Sequence, residues 1–403
     1  MRKGTVPLKA FHSRRGNEKR RAMITVACLL SALVVGAAPV TPPVTAQSEP
    51  RWTVTQPMHM ARDGATITVL PSGDVLVVGG SGPHGPLVSA EIYRPRARLW
   101  ARTGSLHAAR YNHTATLLRD GQVLVAGGSD ASNVLSSAEL YDPRAARWTS
   151  TRPMRQARSG HTATLLSNGE VLVVGGASQN VTGLASAEIF NARTGRWRGT
   201  GRLITGRSGH RAILLPTGSV LVIGGDHADS ADTLASAEAY IPRTGLWTRV
   251  RSMLYPRDYF TATLLRTGRV LIAGTPGTRS IFNCSLRGHT CPYPPDAELY
   301  NPQIGTSIPT GQMTTLRSQH TATLLADGTV LVTGGNGNTC GNANCPWTAS
   351  TEIYRPQTNR WTAARSMHQA RIDSLATLLH DGTILVAGGR AANELSSAEI
   401  YNP

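Results

Sequence analysis

One pattern of about 48 residues recurs seven times along this chain, and a fixed period of that length signals a propeller or a solenoid. The third copy shows it most fully. It opens on Arg158-Ser159-Gly160-His161, runs through an extended Thr-Ala-Thr-Leu-Leu stretch to Asn168-Gly169, and continues as Val171-Leu172-Val173-Val174-Gly175-Gly176. It closes with Ala187-Glu188-Ile189-Phe190 and Trp197. The Gly-Gly ends return at Gly79-Gly80, Gly127-Gly128, Gly224-Gly225, Gly334-Gly335 and Gly388-Gly389, while the fifth copy degenerates to Gly274-Thr275.

Each copy reads as four short strands, a to d, made of β-branched and apolar runs between turn residues. Strands a and b are joined through Ser72-Gly73, Asp120-Gly121, Asn168-Gly169, Thr217-Gly218, Thr267-Gly268, Asp327-Gly328 and Asp381-Gly382. Glycine second in the pair permits a positive φ, so a two-residue hairpin is expected at each. An aromatic column follows on strand c, at Tyr93, Tyr141, Phe190, Tyr240, Tyr300, Tyr354 and Tyr401. A Trp column follows on strand d, at Trp100, Trp148, Trp197, Trp247 and Trp361, with Ser307 near the place of the fifth. These rings are expected to fill the gaps between blades, each worth roughly 2 to 3 kcal/mol of burial. The last copy stops at Tyr401-Asn402-Pro403, and an orphan Arg51-Trp52-Thr53 near the other end matches Arg147-Trp148-Thr149. The expected fold is therefore an all-β, seven-bladed β-propeller occupying residues 47–403, closed by an N-terminal strand in blade 7 and acting as a monomer.

The Arg-x-x-His, Val-Leu-Val-x-Gly-Gly, Glu-Ile-Tyr-x-Pro and Trp motifs resemble the Kelch family over essentially all of residues 47–403. The chain is similar to bacterial exported Kelch proteins and to the central domain of galactose oxidase, a copper radical enzyme. That resemblance carries the fold and no activity of its own. Copper in such enzymes uses a cysteine-crosslinked tyrosine, a Tyr-His pair and a further His from a C-terminal domain. This chain has no Tyr-His dipeptide and ends inside its seventh copy, and Tyr255, Tyr259 and Cys284 do not reproduce the set. No catalytic residue, metal or cofactor is therefore expected, although a galactose-oxidase-like or other sugar-modifying enzyme is the competing class.

The first segment carries Arg2, Lys3, Lys9, Arg14, Arg15, Lys19, Arg20 and Arg21 ahead of the apolar run from Met23 to Val40. With small residues at Val44-Thr45-Ala46, residues 1–46 read as a signal peptide, the rival being an uncleaved membrane anchor. The propeller is then secreted, periplasmic or at the cell surface, with membrane contact only if the leader is retained. The formal charge is +17, but no Lys follows Lys19 and the arginines are spread evenly along the repeat. They form no single basic stripe, so nucleic acid is not an expected partner.

Arg62, Arg110, Arg158, Arg207, Arg257, Arg317 and Arg371 open strand a in every copy, which places them in a ring at the channel mouth. In some Kelch adaptors arginines at this motif position bind acidic peptides. Here Glu91, Glu139, Glu188, Glu238, Glu298, Glu352 and Glu399 recur just as strictly, which favours a belt of structural ion pairs. The partial His column, His113, His161, His210 and His320, is expected to pack or to hydrogen-bond between strands. Spacing between copies lengthens in the b–c loops of blades 5 and 6, which hold Cys284, Cys291, Cys340 and Cys345. Local disulfides, 284–291 and 340–345, are expected in an oxidising compartment, although cross-pairing remains open. Tyr255, Arg257, Tyr259, Tyr293 and Trp347 gather in the same sector and suit sugar stacking or a peptide anchor. The blade-4 loop from Asp226 to Asp232 could offer oxygens to Ca²⁺ or another cation, but it matches no specific motif and reads as a solvated acidic loop. The expected function is a binding module for a glycan or protein ligand on the loop face of blades 4 to 6.

Overall fold

The computed structural model describes residues 49–227, 232–274, 296–337 and 347–403, and within them every regular element is a strand. The strands assemble into seven four-stranded antiparallel sheets, one per repeat. In blade 3 strands a to d are Thr162–Leu165, Val171–Val174, Ala187–Asn191 and Arg196–Gly199, hydrogen-bonded in that order. Strand b is buried at all of its positions because both of its faces meet neighbouring blades, which is why it reads as an unbroken apolar run. Inner strands of successive blades touch one another around the axis, and Thr66–Val69 of blade 1 meets Leu375–Leu378 of blade 7. The fold is a seven-bladed β-propeller.

Ring closure follows the sequence expectation. Arg51–Thr55 pairs antiparallel with Ala398–Asn402, placing Trp52 opposite Tyr401. Their ring centroids lie 5.1 Å apart, against 4.9 Å for Tyr141 and Trp148 within one continuous blade. The inter-blade bond from Gly80 N to Arg110 O, 2.9 Å, is matched across the seam by Gly389 N to Arg62 O at 3.0 Å.

Two local expectations change. The a–b connections are three-residue loops rather than two-residue hairpins: Leu70 N donates to Asp74 O at 2.8 Å, and Gly73 N donates back to Leu70 O at 2.9 Å. Gly73, at φ +87°, closes a turn with one left-handed residue, a geometry that also fits the right-handed twist of the strands. The Gly-Gly pair is required as expected, since a Cβ on Gly79 would meet the Arg110 carbonyl oxygen at 2.5 Å.

The second correction concerns the arginines. Arg62, Arg110, Arg158, Arg207, Arg257, Arg317 and Arg371 do not line the channel mouth, because each is 0% exposed. In blade 3 Arg158 Nη1 donates to Gly175 O at 2.7 Å, and Nη2 donates to Ser186 Oγ at 3.1 Å and Glu188 Oε1 at 3.0 Å. Glu188 also accepts the backbone N–H groups of Arg155, at 2.8 Å, and Gln156, at 3.1 Å. One ion pair thus clamps the d–a loop, the end of strand b and the start of strand c. A guanidinium can be buried this deeply only because its donors find fixed acceptors. Blade 5 departs from the scheme: Arg257 reaches Glu298 through Nε at 3.0 Å, and Asp296 replaces the serine. Burial pushes the Asp296 carboxyl up to about 6.

Removing one partner leaves a buried charge without its counterion. Glu188→Ala is expected to destabilise the propeller by about 3 to 5 kcal/mol in chemical denaturation. A loss under about 1 kcal/mol would mean the clamp is not structural.

Candidate functional site

With the clamp arginines withdrawn into the blades, the channel mouth is built by the residue two positions further on. Gly64, Asn112, Gly160, Gly209, Tyr259, Gln319 and Asp373 all adopt left-handed φ, from +46° at Tyr259 to +64° at Gly209. Backbone bonds link them into two arcs. Asn112 N donates to Gly64 O at 2.9 Å, Gly160 N to Asn112 O at 3.1 Å and Gly209 N to Gly160 O at 3.1 Å. In the second arc Gln319 N donates to Tyr259 O at 2.9 Å and Asp373 N to Gln319 O at 3.0 Å. The first arc carries three glycines and the amide of Asn112, and the second carries a phenol, an amide and a carboxyl. The crown's aromatic and ionisable side chains therefore lie on blades 5 to 7.

Tyr259 is 56% exposed despite its ring. Burial of its hydroxyl, and then the nearby carboxylates of Asp226, Asp258 and Asp373, raise its pKa. Asp373 Oδ2 accepts Gln319 Nε2 at 2.7 Å. Burial and the neighbouring Asp63 push the Asp373 carboxyl up to about 6. Asp258 is also raised, by burial and then by Asp226. Arg390 stands over this sector with Nε 3.9 Å from Asp63 Oδ2.

Of the residues expected from sequence, Tyr259 belongs to the crown, and Trp347 is 42% exposed on a strand bridge to Asn336. Tyr255 is half-buried on the d–a loop, beside the clamp residue Leu254, whose N–H donates to Glu298 Oε2 at 2.8 Å. Arg257 is part of the buried clamp and offers nothing to a ligand. Tyr293, Cys284, Cys291, Cys340, Cys345 and the leader at 1–46 lie outside the described residues. Gln319 and Asp373 were not singled out from sequence. The signal was present in the repeat, since both replace the small residue of the Arg-Ser-Gly-His motif, but it emerges only once that position is known to face the channel.

Beneath the crown lie the histidines. His113, His161, His210 and His320 each share a hydrogen bond through Nε2 with a threonine on the preceding blade: Thr66 at 2.9 Å, Thr114 at 3.0 Å, Thr162 at 2.8 Å and Thr261 at 2.9 Å. They are inter-blade rivets. At the interface of blades 4 and 5 Arg211 and Phe260 replace the Thr–His pair.

A family model described as the Attractin/LZTR1 beta-propeller matches residues 95–339. The chain belongs to this family of Kelch-type propellers. No curated protein sequence matches it. Among solved structures it is similar to a fungal alcohol oxidase of the AA5 family, in complex with copper, at TM-score 0.70 and 16% identity. The match covers 88% of this chain and 76% of that one. The likeness shows a shared fold. Copper does not fit the described residues: the four imidazoles are each committed at a different blade interface, and no group of three or more His, Cys, Asp or Glu among the described residues is placed to hold a metal ion.

Burial holds His161 neutral and lowers its pKa to about 3, and the other three are lowered for the same first reason. The folded pKa lies below the unfolded value of about 6.5, so the stabilisation is complete above that pH and is lost as pH falls. The raised Asp373 acts in the opposite direction. Between about pH 6.5 and 4, the melting temperature of His161→Asn should fall less steeply than that of the unsubstituted protein. Identical slopes would contradict a neutral buried rivet.

Proposed function

We propose that this propeller is a non-catalytic binding module that holds a glycan at the channel mouth, on the loop face of blades 5 to 7. The leader-like first segment favours a secreted, periplasmic or cell-surface setting for it. The observation that carries the reading is Tyr259, a bulky residue held at φ +46° with its ring more than half exposed. A non-glycine residue pays roughly 1 kcal/mol or more to sit there, and three blades place glycine at the same position. Strain retained by an exposed aromatic ring points to recognition rather than to packing. Around the ring lie Asp258, Gln319 and Asp373, acceptors and donors suited to sugar hydroxyls, while the aromatic face suits stacking on a pyranose. This reading rests on the crown of blades 5 to 7; the long loops of blades 5 and 6, on which the expected sector at blades 4 to 6 depends, lie outside the described residues.

Tyr259→Gly separates recognition from stability. The variant is expected to melt at or above the temperature of the unsubstituted protein, with a gain of about 1 kcal/mol. In a glycan array it should lose its ligands. Retention of glycans by a stable variant would move the site away from the mouth, and capture of peptides alone by the unsubstituted protein would make the ligand a protein.

A further inference from the structure

The interface of blades 4 and 5 lacks the rivet found at four others, and what replaces it is not merely another rivet. Arg211 takes the threonine position and Phe260 the histidine position. Arg211 Nε donates to Phe260 O at 2.8 Å, Nη1 makes a long 3.4 Å contact with His210 O, and the guanidinium carbon lies 5.6 Å from the centre of the Phe260 ring. The backbone of Phe260 continues directly from Tyr259, so this guanidinium sits immediately below the crown. Its charge contributes, after burial, to lowering His320 of blade 6 and works against the rise at Asp373 of blade 7.

Arg211 contrasts with the seven clamp arginines. Each of those has a glutamate within ion-pair distance, whereas Arg211 has no carboxylate within that distance among the described residues. A guanidinium stacked on an aromatic ring, largely withdrawn from water and with one amino group uncommitted, is suited to a planar oxyanion. A carboxylate satisfies such a group with a charge-assisted hydrogen bond, stronger than a neutral one.

We propose that Arg211 receives the carboxylate of an acidic sugar, a uronate, whose hydroxyls face Gln319 and Asp373 and whose ring lies against Tyr259. The inference rests on the glycan reading above and names the sugar class. A neutral sugar would use the crown alone. The uronate adds a charge-assisted contact below it.

The test is calorimetric titration at pH 7.5 with galacturonate trimers and with matched galactose trimers. The key variant is R211T/F260H, which installs the Thr–His pair of the four riveted interfaces. Arg211→Gln, which keeps the Phe260 packing, is the second. The unsubstituted protein should bind the uronate more tightly than the neutral trimer, and both variants should weaken the uronate by about tenfold or more while leaving the neutral trimer unchanged. Equal affinity for the two trimers, or uronate binding that survives in a folded variant, overturns the inference while leaving the glycan reading in place. Uronate binding that needs Arg211 but not Tyr259 overturns the glycan stacking and keeps the anion site. Binding of neither trimer overturns both.

Discussion

A guanidinium can leave water only when its donors meet fixed acceptors, and that requirement governs this propeller blade by blade. In each repeat one arginine reaches the end of strand b, the start of strand c and a glutamate, while the glutamate collects the loop that enters the next strand a. The clamp fixes where the first Gly of the Gly-Gly pair turns. The second Gly then bonds to the carbonyl of the next clamp arginine, as Gly128 N does to Arg158 O at 2.9 Å. A bond internal to one blade thereby sets the spacing between blades.

Because the clamp consumes the seven arginines and seven glutamates that recur in every copy, and the rivets consume four histidines, the recurring charged residues of the motif are unavailable to a ligand. What remains is a crown of left-handed residues whose backbone is dictated by the ring and whose side chains are not. Glycine suffices at three of its positions, so the phenol, the two amides and the carboxyl at the other four are departures that the fold does not require. The same logic isolates Arg211, which stands where the repeat asks only for a threonine.

The seven-fold architecture, the closing strand and the aromatic stacking were legible in the sequence because repetition turns each into a column. Trp52 could be assigned to blade 7 from its flanking Arg51 and Thr53 together with the last copy stopping before its strand d, and the structure pairs it with Tyr401. The arginine column misled for the same reason: periodicity shows that a residue is required and is silent on whether it points outward or inward. Glu188 and its counterparts were the clue to burial, since seven matched acids imply seven occupied cations. Turn length was misread because Asn168-Gly169 has the same composition in a two-residue and a three-residue loop, and only the pairing of Leu166 with Glu170 separates them. Asp373 and Gln319 escaped notice because their significance depends on φ and on facing the axis, which no residue pattern displays.

The central claim is that recognition is confined to the crown of blades 5 to 7, with the clamps and rivets as silent scaffold. Amide hydrogen exchange, measured with and without galacturonate trimer, tests it most directly. The account predicts new protection at Tyr259 and Phe260, Gln319 and Asp373, with no change in the a–b turns on the opposite face. Protection centred on those turns, or on the outer d strands, would contradict it.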